Sequence, residues 1–104
     1  MGSEVDYVNE MVASKPLVVF SKSYCPYCTK AKTALKAVGA KYELIELDQV
    51  KNGSAIQDAL QQITGQRSVP NVFIGGSSIG GGDDTARLHK SGALLTKVTE
   101  AGAL

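Results

Sequence analysis

The 104-residue chain contains no tryptophan, a single histidine and only two cysteines. A structural zinc site usually takes four cysteine or histidine ligands, so this chain would need a carboxylate or a second chain to complete one. We therefore expect no metal. A secreted disulfide scaffold would carry more cysteines, spread along the sequence. The formal net charge is only +1 and no basic cluster stands out, so no nucleic-acid partner is expected.

Long apolar runs are also missing. The longest uninterrupted one is Leu17–Phe20, far short of the 18 or so residues of a membrane helix, so no membrane partner is expected. The first six residues are acidic and lack the layout of a secretory signal. Gly2 is not followed by the serine or threonine at position 6 that myristoylation prefers, since Asp6 stands there. These features lead us to expect a reducing, cytoplasmic location.

The composition is that of a globular protein, with 43% hydrophobic and 20% charged residues, and its length suits one domain spanning residues 1–104. Apolar spacing and turn residues predict the order α-β-α-β-α-β-β-α-α. This order predicts an α/β fold with a four-stranded mixed sheet and about five helices, in which the first two strands are parallel and the last two form a hairpin. The predicted strands cover 17–21, 42–47, 71–74 and 77–79, and the helices begin near 3, 26, 54, 83 and 93.

The two cysteines form one Cys25-Pro26-Tyr27-Cys28 motif between a predicted strand and a predicted helix. A bridge between residues three apart closes almost no loop, so structural stabilisation explains the pair poorly. Pro26 suits the first position of a helix, which places Cys25 at the N-cap beside the positive end of the helix dipole. Lys22 can add a positive charge nearby.

Because an ordinary cysteine is only about 3% thiolate near pH 7, surroundings that favour the thiolate matter for reactivity. We therefore predict that Cys25 is the nucleophile and that Cys28, one turn into the helix, is the resolving thiol. His89 lies in a short polar helix and is expected at the surface, since exchange at a preformed thiolate needs no histidine. Val72 and Phe73 are expected in the core.

Together with Ser68-Val69-Pro70 and Gly81-Gly82-Asp83-Asp84, this motif resembles a dithiol glutaredoxin over nearly the whole chain. The resemblance implies a thioredoxin-like fold and glutathione-dependent reduction of disulfides, with glutathione as co-substrate. It also implies a cis peptide bond between Val69 and Pro70. The expected partners are then glutathione and glutathionylated or disulfide-containing proteins, and the protein is expected to be a monomer.

The resemblance also assigns residues to the parts of glutathione. Lys22 and Gln57 match positions that hold the glycyl carboxylate, with Arg67 as a third contact. Alternatively, Gln57 is a solvated residue of its helix and Arg67 only a surface charge. The backbone of Val69 beside Pro70 would pair with the cysteinyl part like a short strand.

At the other end of the ligand, Gly82 and Asp83 match residues that bind the γ-glutamyl group. Backbone N–H groups at a helix start suit its carboxylate, and the Asp83 carboxylate suits its ammonium. Tyr27 would line the groove beside the sulfur. Many dithiol glutaredoxins carry another cysteine where this chain has Gly82, so regulation through an extra thiol is not expected here.

Two other functions fit the motif less well. A dimer could hold a [2Fe–2S] cluster through Cys25 of each chain and two glutathiones, but Pro26 stiffens the loop where cluster-binding relatives usually carry a smaller residue. A thioredoxin or disulfide isomerase would resemble Trp-Cys-Gly-Pro-Cys at this site, and the chain has no tryptophan.

Overall fold

The computed structural model describes residues 3–104, so the expectation about Gly2 lies outside the described part. Nine elements follow in the predicted order: α1 (Ser3–Ser14), β1 (Leu17–Ser21), α2 (Pro26–Ala37), β2 (Glu43–Glu46), α3 (Gly53–Thr64), β3 (Asn71–Ile74), β4 (Ser77–Gly80), α4 (Gly82–Ser91) and α5 (Ala93–Ala101). Within this range no helix is both long enough and apolar enough to cross a membrane.

The four strands form one mixed sheet in the order β2-β1-β3-β4. The predicted parallel pairing of β1 with β2 and the antiparallel hairpin of β3 and β4 are both confirmed. The pairing of β1 with β3 is antiparallel and sets Phe20 opposite Asn71. The segment that enters β3 therefore lies beside the end of β1, where the chain leads into the cysteine motif.

Alternating side chains of the strands fill a core on each face of the sheet, because successive residues of a strand point to opposite sides. Val18 and Phe20 of β1 pack with α1 and α3, whereas Leu17 and Val19 pack with α2, α4 and α5. Phe20 also meets Phe73 edge to face, with ring centroids 5.8 Å apart. As predicted, Phe73 and Val72 are core residues.

Several details differ from the predictions. The second strand covers four residues rather than six, and α4 begins at Gly82 with Gly81 as its N-cap. The sequence pattern would place Leu95 inward together with Leu94 and Val98, but Leu95 is 48% exposed. Leu94 and Val98 are four residues apart and share one helix face, whereas Leu95 is rotated by about 100° from Leu94.

Candidate active site

Cys25 is the N-cap of α2, as predicted, and Pro26 is the first residue of the helix. The Cys25 backbone is extended, which turns its side chain back over the first turn. Its Sγ accepts a hydrogen bond from the backbone N–H of Cys28 over 3.2 Å. This N–H is one of those that a helix start leaves without a partner inside the helix, and it stabilises negative charge on the sulfur.

The Cys25 sulfur also lies 3.8 Å from the carbonyl oxygen of Val69, to which its thiol form can donate. The peptide bond between Val69 and Pro70 is cis, which confirms what the resemblance implied. Cys25 is partly exposed, so a reagent or a substrate sulfur can reach it. The nucleophile candidate and the Val69 backbone therefore form one continuous surface.

Cys28 has a different environment, because it is fully buried. Burial is the main cause that raises the pKa of the Cys28 thiol, followed by its hydrogen bond with Cys25. The backbone N–H of Lys22 donates to the Cys28 sulfur over 3.4 Å and opposes that shift. Cys28 is consequently a protonated, shielded thiol near neutral pH, while Cys25 occupies the accessible helix end.

The loop before Cys25 is held by Asp48, a residue that the sequence analysis missed. The Asp48 carboxylate accepts hydrogen bonds from the hydroxyl of Ser23 and from its backbone N–H, the latter over 3.0 Å. These bonds, with a smaller contribution from the charge of Lys22, lower the pKa of Asp48. The sequence did contain a feature that could have predicted this contact. Asp48 follows β2, and the carboxyl end of β2 lies at the same edge of the sheet as the carboxyl end of the parallel strand β1.

A groove of about 320 Å³ runs beside the cis peptide bond. Its lining combines residues from three separate segments: Tyr27, Gln66, Ser68, Val69, Pro70 and Gly81 to Asp84. Five of the residues predicted for the site are thus brought together, namely Tyr27, Val69, Pro70, Gly82 and Asp83. The Tyr27 side chain is 57% exposed, which leaves it available to a ligand.

Gly82 allows the starts of α2 and α4 to approach closely. A Cβ atom at this position would overlap the backbone carbonyl oxygen of Tyr27, so any side chain would push the two helices apart. Asp83 follows in the first turn of α4, and its carboxylate forms an ion pair with Lys30 of α2 over 2.6 Å. Lys30 is a second residue that the sequence analysis missed, since nothing in the sequence places it opposite Asp83.

Gln57 and Arg67 do not line this groove. Gln57 is only 6% exposed, so the alternative that it is a solvated residue is wrong. Its side-chain amide donates to the backbone carbonyl of Arg67 over 3.0 Å. The Arg67 side chain extends along α3, where it pairs with Asp58 at 3.0 Å and donates to Ser54 at 3.2 Å. The predicted contacts of Gln57 and Arg67 with a carboxylate stay predictions.

In the described part of the chain, no three histidine, cysteine, aspartate or glutamate side chains are grouped closely enough to hold a metal ion. His89 is exposed in the last turn of α4, in agreement with its predicted surface position. The candidate active site therefore consists of the two thiols, the loop around Val69 and the groove beside that loop.

Comparisons with known proteins identify the family of the chain. The glutaredoxin family model matches residues 17–79. A glutaredoxin of Ricinus communis is 57% identical over 95 residues, which cover 91% of this chain and 93% of the relative. Glutaredoxin-C2 of Arabidopsis thaliana is 56% identical over 95 residues, covering 91% of this chain and 86% of the relative.

Solved structures show the same architecture. The buckwheat glutaredoxin–glutathione complex superposes with a TM-score of 0.94 at 51% identity, covering 98% of this chain and 93% of the other. Oxidized glutaredoxin 2 of Chlamydomonas reinhardtii superposes with a TM-score of 0.95 at 48% identity, covering 99% of this chain and 97% of the other. The predicted thioredoxin-like fold is thereby confirmed. The chain belongs to the glutaredoxin family.

Proposed function

We propose that this protein is a glutathione-dependent thiol–disulfide oxidoreductase. Its substrates are mixed disulfides of proteins with glutathione, together with low-molecular-weight and protein disulfides. The observation that carries the proposal is the contrast between its two sulfurs. Cys25 is accessible at a helix start, and its sulfur accepts a hydrogen bond from the backbone N–H of Cys28. The Cys28 thiol, in contrast, is buried and has a raised pKa.

The first step is an attack by the Cys25 thiolate on the glutathione sulfur of a mixed disulfide. A bond forms between Cys25 and glutathione, the original disulfide bond breaks, and the substrate leaves as a thiolate that takes a proton from water. A second glutathione thiolate then attacks the glutathione sulfur bound to Cys25. This step releases glutathione disulfide and restores the Cys25 thiolate. Each cycle therefore oxidises one free glutathione, because the glutathione sulfur carried in by the substrate is already at the disulfide level.

Cys28 enters the reaction when the substrate is an ordinary protein disulfide. The Cys25 thiolate first breaks the substrate disulfide and forms a mixed disulfide with one of its sulfurs. Cys28 then loses its proton and attacks the Cys25 sulfur, so that a Cys25–Cys28 bond forms, the bond to the substrate breaks, and the substrate leaves as a thiolate that takes up a proton. The hydrogen bond from the Cys28 N–H to the Cys25 sulfur places the two residues next to each other for this exchange. Two glutathione molecules reduce the resulting disulfide between Cys25 and Cys28.

The groove supports glutathione as the partner thiol. We propose that the Val69 backbone pairs with the cysteinyl part, that the N–H groups at Gly82 and Asp83 bind the γ-glutamyl carboxylate, and that Lys22, Gln57 and Arg67 serve the glycyl end. Tyr27 and Pro70 form the walls beside the sulfur. The buckwheat relative, 51% identical, was crystallised as a complex with glutathione.

Single-cysteine variants test the proposal in a deglutathionylation assay, with a glutathionylated peptide as substrate and glutathione as reductant. Cys25→Ser should abolish turnover, whereas Cys28→Ser should retain much of it because the route through glutathione needs only one thiol of the enzyme. The reverse pattern would overturn the assignment of nucleophile and resolving thiol. A wild-type protein that is inactive with glutathione but active with another reductase would overturn the choice of glutathione.

The cluster-binding alternative is not favoured. Pro26 is the first residue of α2, and its ring stiffens the segment that would have to adapt around a cluster. Anaerobic purification provides the test, since a brown protein with the absorbance of a [2Fe–2S] centre would revive the alternative.

We also propose that the protein acts as a monomer in the reducing cytoplasm, without a nucleic-acid or membrane partner. The net charge of +1 supports the lack of a nucleic-acid partner. Light scattering of the reduced protein tests the oligomeric state. Imaging of the full chain, with the fluorescent fusion at its carboxyl end, tests the location.

A further inference from the structure

Gln66 lies in the loop between α3 and the cis peptide bond, and its side chain binds that loop from within. The Nε2 amide donates to the carbonyl oxygen of Ser68 and to that of Pro70, each over 2.9 Å. An amide nitrogen carries two hydrogens, so both donors are used. The two carbonyls lie on either side of Val69, and Gln66 therefore fixes the backbone on both sides of that residue.

The same loop is tied to the rest of the protein by a chain of polar contacts. The Thr64 hydroxyl accepts from the backbone N–H of Gln66 over 3.1 Å and from the side-chain amide of Asn71 over 3.2 Å. Asn71 is fully buried in β3 and accepts from the Ser78 hydroxyl over 2.7 Å. The end of α3, the loop and the hairpin thus share one hydrogen-bonded network, which limits the movement of the loop.

Gln66 also lines the groove beside Tyr27 and Gly82. The Pro70 carbonyl that it binds lies close to Gly81, where an added Cβ atom would be 3.4 Å away. The Val69 carbonyl lies 3.8 Å from the Cys25 sulfur. A rotation of the Val69 peptide would therefore change the backbone that the groove presents next to Cys25.

We propose that Gln66 is a positioning residue, which holds the Val69 backbone in the orientation that pairs with the cysteinyl part of glutathione. The inference rests on the proposed function, because it assigns Gln66 to the same groove. Gln66 reacts with nothing itself. Its effect is preorganisation: without it, part of the binding free energy would be spent on ordering the loop.

Two substitutions test the role in the deglutathionylation assay. Gln66→Leu removes the donors, and Gln66→Glu replaces them with a carboxylate that faces two carbonyl oxygens. We expect Gln66→Leu to raise KM for the glutathionylated peptide by about tenfold, and Gln66→Glu to raise it further, with kcat within about twofold of wild type. Alkylation of Cys25 by iodoacetamide should be unchanged, since this small reagent does not need the groove. Gln62→Glu, at an exposed position of α3, is the matched control and should leave KM unchanged.

A measurement on the wild-type protein covers the case that a variant fails to fold. The side-chain NH2 protons of Gln66 should exchange with solvent much more slowly than those of exposed Gln62, as followed by NMR. Equal exchange rates, or an unchanged KM in both Gln66 variants, would overturn the proposal. A parallel loss of kcat and alkylation rate would also overturn it, because it would indicate general damage to the site. Failure of the wild-type protein to use glutathione would instead refute the proposed function.

Discussion

The backbone N–H of Cys28 donates a hydrogen bond to the Cys25 sulfur over 3.2 Å, while the Cys28 sulfur itself is buried and accepts from the N–H of Lys22. One residue thus donates its backbone N–H to the sulfur of the candidate nucleophile and keeps its own thiol buried. This division of roles depends on the three-residue spacing at a helix start, where the N–H of the third helical residue points toward the N-cap side chain.

The two thiols should therefore differ strongly in their rates of alkylation. In Cys28→Ser, which retains only Cys25, iodoacetamide should react at pH 7 at least about tenfold faster than in Cys25→Ser, which retains only Cys28. Burial raises the pKa of Cys28, so its rate should keep rising as the pH passes the ordinary thiol value of 9.0. Mass spectrometry of the alkylated proteins over a pH series measures both rates. Equal rates at pH 7 would contradict the difference in burial between the two thiols.

Asp48 should make the stability of the protein depend on pH in the acidic range. Its pKa is lowered by the Ser23 hydroxyl and backbone N–H, so the folded protein favours the ionised form. The stabilisation is complete above the ordinary value of 3.8 and is lost as the pH falls through the lower, folded value. Urea unfolding should accordingly show Asp48→Ala to be less stable than wild type at pH 7, with a difference that shrinks towards pH 2.

Ser23→Ala provides the comparison, because the hydroxyl of Ser23 is the largest cause of the shift. It should reduce the same acid dependence while leaving the carboxylate in place. If the difference in the free energy of unfolding between wild type and Asp48→Ala grows as the pH falls, the pKa of Asp48 is raised by folding and not lowered, which would contradict the prediction.

Asp83→Asn should weaken the recognition of the glutathione ammonium while leaving the fold intact. Asp83 and Lys30 are both more than half exposed, and exposed ion pairs contribute little to stability. We expect KM for the glutathionylated peptide to rise by about twofold to fivefold, with kcat and thermal stability nearly unchanged. Asp6→Asn, in the exposed first turn of α1, is a matched control for the loss of one negative charge. An equal increase in KM in both variants would indicate a long-range effect of net charge.

Gly53→Ala should destabilise the protein although alanine favours helices. Gly53 is the first residue of α3, and a Cβ atom there would overlap the backbone carbonyl oxygen of Leu47. Helix propensity alone would make alanine the better residue by about 1 kcal/mol. We expect instead a loss of about 1–3 kcal/mol in the free energy of unfolding, from the forced separation of α3 and the end of β2.

Urea titration at neutral pH measures this loss, with Gln62→Ala as a control at an exposed position of the same helix. A stabilised Gly53→Ala protein would mean that helix propensity outweighs the close approach.

Local patterns were sufficient for the elements and for the chemistry of the motif. Pro26 after Cys25 indicated a helix start, and that start makes Cys25 the N-cap. The apolar residues Ile56, Ala59, Leu60 and Ile63 recur at helical spacing and Gly65 follows them, so the sequence predicts α3 and its end from features that act over a few residues. The resemblance added the cis bond before Pro70. Leu95 shows the limit of such reasoning, since its exposure depends on how α5 is rotated against its neighbours.

Contacts between distant segments were decided by the tertiary structure. The antiparallel register of β1 and β3 brings Val69 to Cys25, and the close packing at Gly82 sets α4 against Tyr27. The same packing of α2 and α4 pairs Lys30 with Asp83, and the parallel pairing of β1 with β2 brings Asp48 to Ser23. By itself, the sequence determined that a cysteine stands at the head of a helix, because capping is a local property of the chain. The surroundings of that thiol arise only when segments distant in the sequence pack together, as Cys25 and Val69 do, and no local pattern encodes this packing.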